Sequence, residues 1–282
     1  MHIVERGQGD PLVLIPGIQG RWEYVRPTVD ALAEHYHVIT FALADEPSAG
    51  VVAADDARPG HATAGTSRTA GTLDPFTRHV KAVLDELGIR RAIICGISFG
   101  GLVALRFAAC CPERTQALVL VSTPGPRWHL RARHQVYARW PRVFGALFLA
   151  ETPWRVRDEV RTALPDRVAR RRFAREQLRT LLTAPLSVSR MASRARLVAL
   201  HNRLEDCAAI TSPTLVVHGD PSLDHVVHVG GTAEYATLIG GARTARLEDT
   251  GHLGSLTRPR EFATMVRRFL DESHSTSHHS AA

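Results

Sequence analysis

The chain has 282 residues, 44% hydrophobic and 22% charged, which fits one large globular domain, or one domain carrying an insertion, better than two independent ones. Its net charge of +7 rests on arginine, with Lys81 the only lysine, and residues 125–206 alone hold 18 arginines against seven carboxylates. Without a helix-turn-helix or an aromatic RNA-stacking signature this basicity gives no nucleic-acid footprint, and no apolar run is long enough for a signal peptide or a membrane span, so a cytoplasmic protein with no nucleic-acid or membrane partner is expected.

In chain order, short β-type runs are expected at 12–15, 37–41, 92–95, 117–121, 214–218 and 242–247. Several are apolar on both faces, as strands of a parallel sheet covered by helices on each side must be. Between the second and third, residues 46–71 are rich in Ala, Gly, Ser, Thr and Asp with little periodicity and are expected to form a surface excursion. Phe76, Val80, Val83, Leu84 and Leu87 then recur at helical spacing, predicting a helix over 74–87 stopped by Gly88. Alternating strands and helices of this kind predict an α/β fold, a mostly parallel central sheet with helices on both faces.

About eighty residues separate the run at 117–121 from the next strand, far beyond an ordinary loop, so this stretch must carry structure of its own. Helices are predicted over 129–149, 155–163, 166–183 and 185–204, punctuated by Pro141, Pro153, Pro165 and Pro185. The organisation expected is a core in two parts, 1–124 and 207–270, interrupted by an inserted helical cap at 125–206 and followed by a polar, His-rich, disordered tail at 271–282. Cys95, Cys110, Cys111 and Cys207 form no CxxC pair and are expected to be reduced, buried thiols. His218, His225 and His228 lack a recognisable ligand spacing, so no metal and no other cofactor is expected.

The most specific motif is Gly96-Ile97-Ser98-Phe99-Gly100-Gly101, set between the run 92–95 and the apolar helical stretch 102–109. A serine on such a strand-turn-helix corner must adopt an unfavourable backbone conformation to expose its hydroxyl, and the flanking glycines let strand and helix pass closely. The start of the helix adds partial positive charge and free N–H groups where an oxyanion would form. At neutral pH the hydroxyl needs a base, for which His252 in Asp249-Thr250-Gly251-His252-Leu253, just past the last strand, is the candidate. A third group must orient that histidine. Two aspartates compete after the run 214–218: Asp220, placed to act as a turn residue, and Asp224, preferred because His225-Val226-Val227 follow it and would fix its backbone.

On these motifs, in the order Ser, Asp, His, the chain resembles the α/β-hydrolase superfamily, in its capped single-domain branch of esterases, lactonases and C–C bond hydrolases. The segment Leu14-Ile15-Pro16-Gly17-Ile18-Gln19-Gly20 is similar to the family's loop after its first long strand, with Pro16 where a histidine is common. The resemblance implies that the backbone N–H groups of Ile18 and Phe99 form the oxyanion hole. Asp224-His225-Val226-Val227-His228 resembles an Asp-x-Val-Val-Pro pattern with His228 in the proline position. Serine at 98 argues against the family's aspartate-dependent dehalogenases and epoxide hydrolases. Gln19 and Trp22, beside the implied hole, and Trp128, His129, Tyr137, Trp140, Phe144 and Phe148 in the cap are candidate substrate contacts.

The function expected is hydrolysis of an ester-like small molecule, a carboxylic ester or lactone, through Ser98, His252 and Asp224 and an acyl-enzyme, without metal or organic cofactor. The same residues would also serve C–C bond hydrolysis or cofactor-free perhydrolysis. A ligand receptor that keeps the fold without turnover is the alternative of another class.

Overall fold

The computed structural model describes residues 2–43, 72–200 and 203–279, so the predicted excursion 46–71 lies outside the described residues. The first half of the chain gives strands β1 (Ile3–Arg6) and β2 (Pro11–Ile15), helix α1 (Arg26–Leu32), β3 (His37–Phe41), α2 (Asp74–Glu86), β4 (Ala92–Ile97), α3 (Phe99–Cys110) and β5 (Thr115–Val121). A helical segment follows: α4 (Ala132–Arg139), α5 (Pro141–Arg155), α6 (Arg157–Ala163), α7 (Arg167–Thr183), α8 (Val188–Leu200) and α9 (Arg203–Ala209). The chain then resumes with β6 (Thr214–His218), α10 (Val229–Ala233), α11 (Tyr235–Leu238), β7 (Arg243–Arg246), α12 (Gly254–Thr257) and α13 (Pro259–His279).

The seven strands form one sheet in the order β1-β3-β2-β4-β5-β6-β7, parallel except for β1, which pairs antiparallel with β3 at the edge. Strand period sends alternate residues to opposite faces. Val13, Ile15, Ile94, Leu118 and Leu120 join a core with α2, α3 and α9, while Leu12, Leu14, Ile93, Val119 and Val121 join another with α1 and α13. That double burial is why these strands read as continuous apolar runs. Each large side chain so removed from water contributes about 1.5–3 kcal/mol.

Several elements differ from the sequence expectation. Edge strand β1 was not foreseen, because Ile3-Val4-Glu5-Arg6 is half polar and only one of its flanks is paired. The helix predicted over 129–149 is two, since Pro141 cannot continue α4 and opens α5 at its first position, whereas Pro153 lies inside α5. The helix predicted over 185–204 ends at Leu200, and α9 begins at Arg203. The tail expected to be disordered continues α13 as far as His279. There the hydroxyls of Ser273 and Ser275 donate to the carbonyls of Phe269 and Asp271, and Glu272 pairs with Arg268 and Arg243, which gives the polar extension local bonds in place of burial. All four cysteines are unbridged thiols, but at the end of α3 Cys110 is exposed and Cys111 half-buried, so only Cys95 and Cys207 are buried as expected.

The junction from β4 to α3 is tight. A β-carbon on Gly100 would overlap the carbonyl oxygens of Ile15 and Pro16, backbone atoms at the exit of β2 that cannot swing aside. Gly100→Ala is therefore expected to destabilise the fold by about 1–3 kcal/mol, the usual cost of overpacking. Chemical denaturation measures it, and an unchanged midpoint would contradict this packing.

Candidate active site

Ser98 occupies the single residue between β4 and α3, with φ 55° and ψ −117°, a conformation costing on the order of 1–3 kcal/mol for a residue with a side chain. The surroundings impose it: the Ser98 N–H donates to the Val121 carbonyl at 2.8 Å, and the Gly101 N–H donates to the Ser98 carbonyl at 2.9 Å. The side chain is thereby lifted off the carboxyl edge of the sheet.

His252 reaches the same point from the loop after β7. Its Nε2 lies 3.1 Å from Ser98 Oγ and its Nδ1 lies 3.4 Å from Asp224 Oδ2. A carboxylate only accepts, so the Nδ1 position carries the proton and Nε2 is left to accept from the serine hydroxyl. Asp224 is held from behind, since its Oδ1 accepts the N–H groups of Val226 at 2.9 Å and Val227 at 2.8 Å, and its side chain is only 2% exposed.

Asp220, the competing aspartate, does something else. Its Oδ2 accepts the Asp249 N–H at 2.8 Å, and its own N–H donates to the Thr250 carbonyl at 2.7 Å, so it braces the loop that carries His252. Asp249 in that loop has φ 56°, like Ser98 a residue with a side chain at positive φ.

The charges polarise this array. Burial alone would raise Asp224, but the neighbouring His252, its hydrogen bond and the two N–H donors outweigh it and hold the carboxyl below the usual range. For His252 burial pulls down, while the Asp224 charge, the hydrogen bond to it and the more distant Glu159 charge pull up, and the net displacement is upward.

The loop after β2 flanks Ser98 because β2 and β4 are adjacent and parallel, pairing Ile15 with Gly96. Phe99, fully buried at the first position of α3, has an N–H in the turn that lacks intrahelical acceptors. Ile18 is fixed through its carbonyl, which accepts from Arg194 Nη1 at 2.9 Å. Gln19 Oε1 and the Ser98 β-carbon border the same small space over Gly17. Trp22 is half-buried in a short 3-10 turn, Trp22–Val25, further along this loop.

The aromatic candidates of the helical segment scatter. Trp128 packs against the core and lines a cleft of about 410 Å³ with His129, His134, His225 and His228, whose lining includes neither Ser98 nor His252. Tyr137 is engaged inside the segment: its hydroxyl accepts from Arg133 at 2.8 Å and donates to Glu151 at 3.3 Å, and its ring stacks on Phe144 and meets Phe148 edge-on. Trp140, a candidate substrate contact, is 56% exposed at the junction of α4 and α5, just before Pro141. Among the described residues no group of three or more His, Cys, Asp or Glu could hold a metal ion, and no helix is long and apolar enough to cross a membrane.

Two buried charges of α6 and α8 that reach these loops were not singled out in the sequence. Arg194 of α8, 4% exposed, binds the loop of Ile18, and Glu159 of α6, 1% exposed, accepts the N–H groups of Gly251 and Leu253 at 2.9 and 2.5 Å. Burial pushes the Glu159 carboxyl up to about 7 against the opposing pull of His252 and those N–H groups. No local motif announces either residue, since each lies in an arginine-rich helical stretch where most charges face water.

Comparison with known proteins bears on this architecture. The chain is 27% identical over 277 residues to the polyketide synthase ThaQ of Burkholderia thailandensis, covering 96% of the chain but only 12% of that far longer protein. It is 28% identical over 234 residues to a pimeloyl-[acyl-carrier protein] methyl ester esterase of Aromatoleum aromaticum, covering 80% of this chain and 90% of that one. In three dimensions it resembles the enol-lactonase of Burkholderia xenovorans with a TM-score of 0.71 at 22% identity, over 96% of both chains, a likeness of fold. The model of the alpha/beta hydrolase family matches residues 12–265, and the chain belongs to that family.

Proposed function

We propose that this hydrolase cleaves a small-molecule carboxylic ester or lactone with Ser98 as nucleophile, His252 as base and Asp224 as the group that orients and charges the histidine. The observation that carries the proposal is the continuous relay from Ser98 Oγ through His252 to Asp224, at 3.1 and 3.4 Å, ending on a serine in left-handed backbone at the start of a helix. His252 Nε2 takes the hydroxyl proton as Ser98 Oγ bonds to the carbonyl carbon. The N–H groups of Ile18 and Phe99 bind the oxyanion, and removing one such donor typically costs about 10²–10³ in rate. Collapse expels the alcohol, which receives the proton from His252 and leaves an acyl group on Ser98. Water, deprotonated by the same imidazole, attacks that ester, and the acid departs as Ser98 regains its proton.

Helices α4 to α8 serve as a cap over the carboxyl edge of the sheet. Arg194 and Glu159, bonded to the loops of Ile18 and His252, support that placement. The relay and the N–H donors all belong to the chain, so the mechanism draws on no cofactor and the partner is the substrate alone. Relatives described as a methyl ester esterase and an enol-lactonase are consistent with an acyl-oxygen bond as the target.

Ser98→Ala is expected to abolish covalent labelling by a fluorophosphonate and to lower p-nitrophenyl acetate turnover by about 10⁴-fold or more. Mass spectrometry of the labelled protein checks the first, and a phosphonate adduct surviving in the variant would remove Ser98 from this role. A panel of esters, lactones and a ring-fission diketone defines the bond cleaved, and C–C cleavage without ester turnover would replace the substrate class. Asp224→Asn is expected to cost on the order of 10⁴-fold in kcat, as loss of the orienting carboxylate does in other serine hydrolases, whereas Asp220→Asn leaves the relay intact and changes kcat several-fold at most. The reverse ranking would reassign the acid.

The acid limb of activity follows from the histidine. The base works only when neutral, and its proton is held to a higher pH than the ordinary 6.5, so kcat/KM is expected to rise with pH through a midpoint above 6.5. A pH–rate profile centred below that value would contradict the charge arrangement.

A further inference from the structure

Glu159 is an acidic side chain with almost no exposure, carried by α6 of the helical segment, and among the described residues no arginine or lysine pairs with it. A carboxyl group in such a place costs several kcal/mol unless it is well bonded. Its bonds are specific: a single oxygen, Oε1, receives the N–H groups of the two residues on either side of His252. The imidazole is thus carried on a span pinned at both ends by one atom.

The packing at this point leaves little freedom. A β-carbon on Gly251 would come within 2.6 Å of the Leu223 carbonyl oxygen and 2.9 Å of Glu159 Cδ, so the histidine loop is wedged between the loop of Asp224 and the Glu159 carboxyl. The charged groups facing Glu159 are His252 and Asp224, from the loops after β7 and β6. As an anion Glu159 adds to the field of Asp224 and favours a protonated His252. A neutral acid keeps the N–H bonds and loses that field.

Resting on the assignment of His252 as base, we propose that Glu159 is a positioning residue of this hydrolase: it holds the His252 loop through both flanking N–H groups and, when ionised, supports the imidazolium that forms during acyl transfer. The inserted helices then complete the catalytic array and do not merely roof it. Burial pushes the carboxyl up to about 7, so its charge is gained as the pH rises through that value.

The test compares the wild type with Glu159→Gln, which preserves shape and acceptor but not charge, and Glu159→Ala, which removes both. Turnover of p-nitrophenyl acetate, fluorophosphonate labelling of Ser98 and the NMR titration of the His252 ring, assigned by its loss in His252→Asn, are followed from pH 5.5 to 9. Glu159→Gln is expected to lower kcat about tenfold with KM little changed, and to move both the His252 titration and the acid limb to lower pH, since a neighbouring negative charge has gone. Glu159→Ala, which also frees the loop, is expected to lose on the order of a hundredfold. If Glu159→Ala does not fold, the near-isosteric Gln variant carries the test. A Gln variant with wild-type kcat, acid limb and His252 titration overturns the proposal. Failure of the wild type itself to label at Ser98 overturns the hydrolytic reading instead, and the His252 titration in the two proteins still decides whether Glu159 acts on the histidine.

Discussion

The constraint on which the rest depends is the backbone of residue 98. A serine with φ 55° persists only where its neighbours leave no alternative. Here the Val121 carbonyl fixes its N–H from β5, while Gly100 lies directly on the carbonyls that end β2. The strain is offset by the paired central strands, whose side chains are almost wholly removed from water. The same strand order then brings the loops after β2, β6 and β7 to one edge, within reach of a hydroxyl that cannot retreat.

Two carboxyl groups act on His252, one through its ring and one through the backbone beside it, and their surroundings separate them. Asp224 has two backbone donors and a direct hydrogen bond to His252, enough to overcome burial and keep it charged. Glu159 also has two donors, but both converge on one oxygen and the imidazole acts on it only through space, so burial prevails. Similar chemical groups a short distance apart therefore hold their protons over different ranges of pH.

Much of this was legible in the sequence, and the limits have physical causes. Strands buried on both faces announce themselves as apolar runs, and the corner around Ser98 is marked by glycines that only a close backbone crossing requires. Choosing between Asp220 and Asp224 rested on Val226 and Val227, and those are the residues whose N–H groups hold Asp224. Strand β1 escaped because an edge strand has half the burial to record. The extension of α13 escaped because its helix rests on serine back-bonding and ion pairs, which leave no apolar period. The aromatic residues of the helical segment carry no such mark: Tyr137 engages its ring and hydroxyl with its own neighbours, and Trp140 is largely exposed. Arg194 and Glu159 were invisible because their partners are backbone atoms far along the chain.

Helix α7 is 17 residues long and buries none of its side chains, with Val168, Leu178 and Leu182 all more than half exposed. Its first turn is held by the Asp166 carboxylate, which accepts the Ala169 N–H, and by Arg170, which donates to the Leu164 and Pro165 carbonyls. A segment in which no side chain is fully buried places little constraint on its exposed positions beyond helix propensity. Substitutions can accumulate at its exposed positions, such as Val168, Leu178 and Leu182, without the protein losing cohesion, which makes this outer face a natural place to graft a label, a tether or a new surface charge onto an otherwise tightly packed molecule.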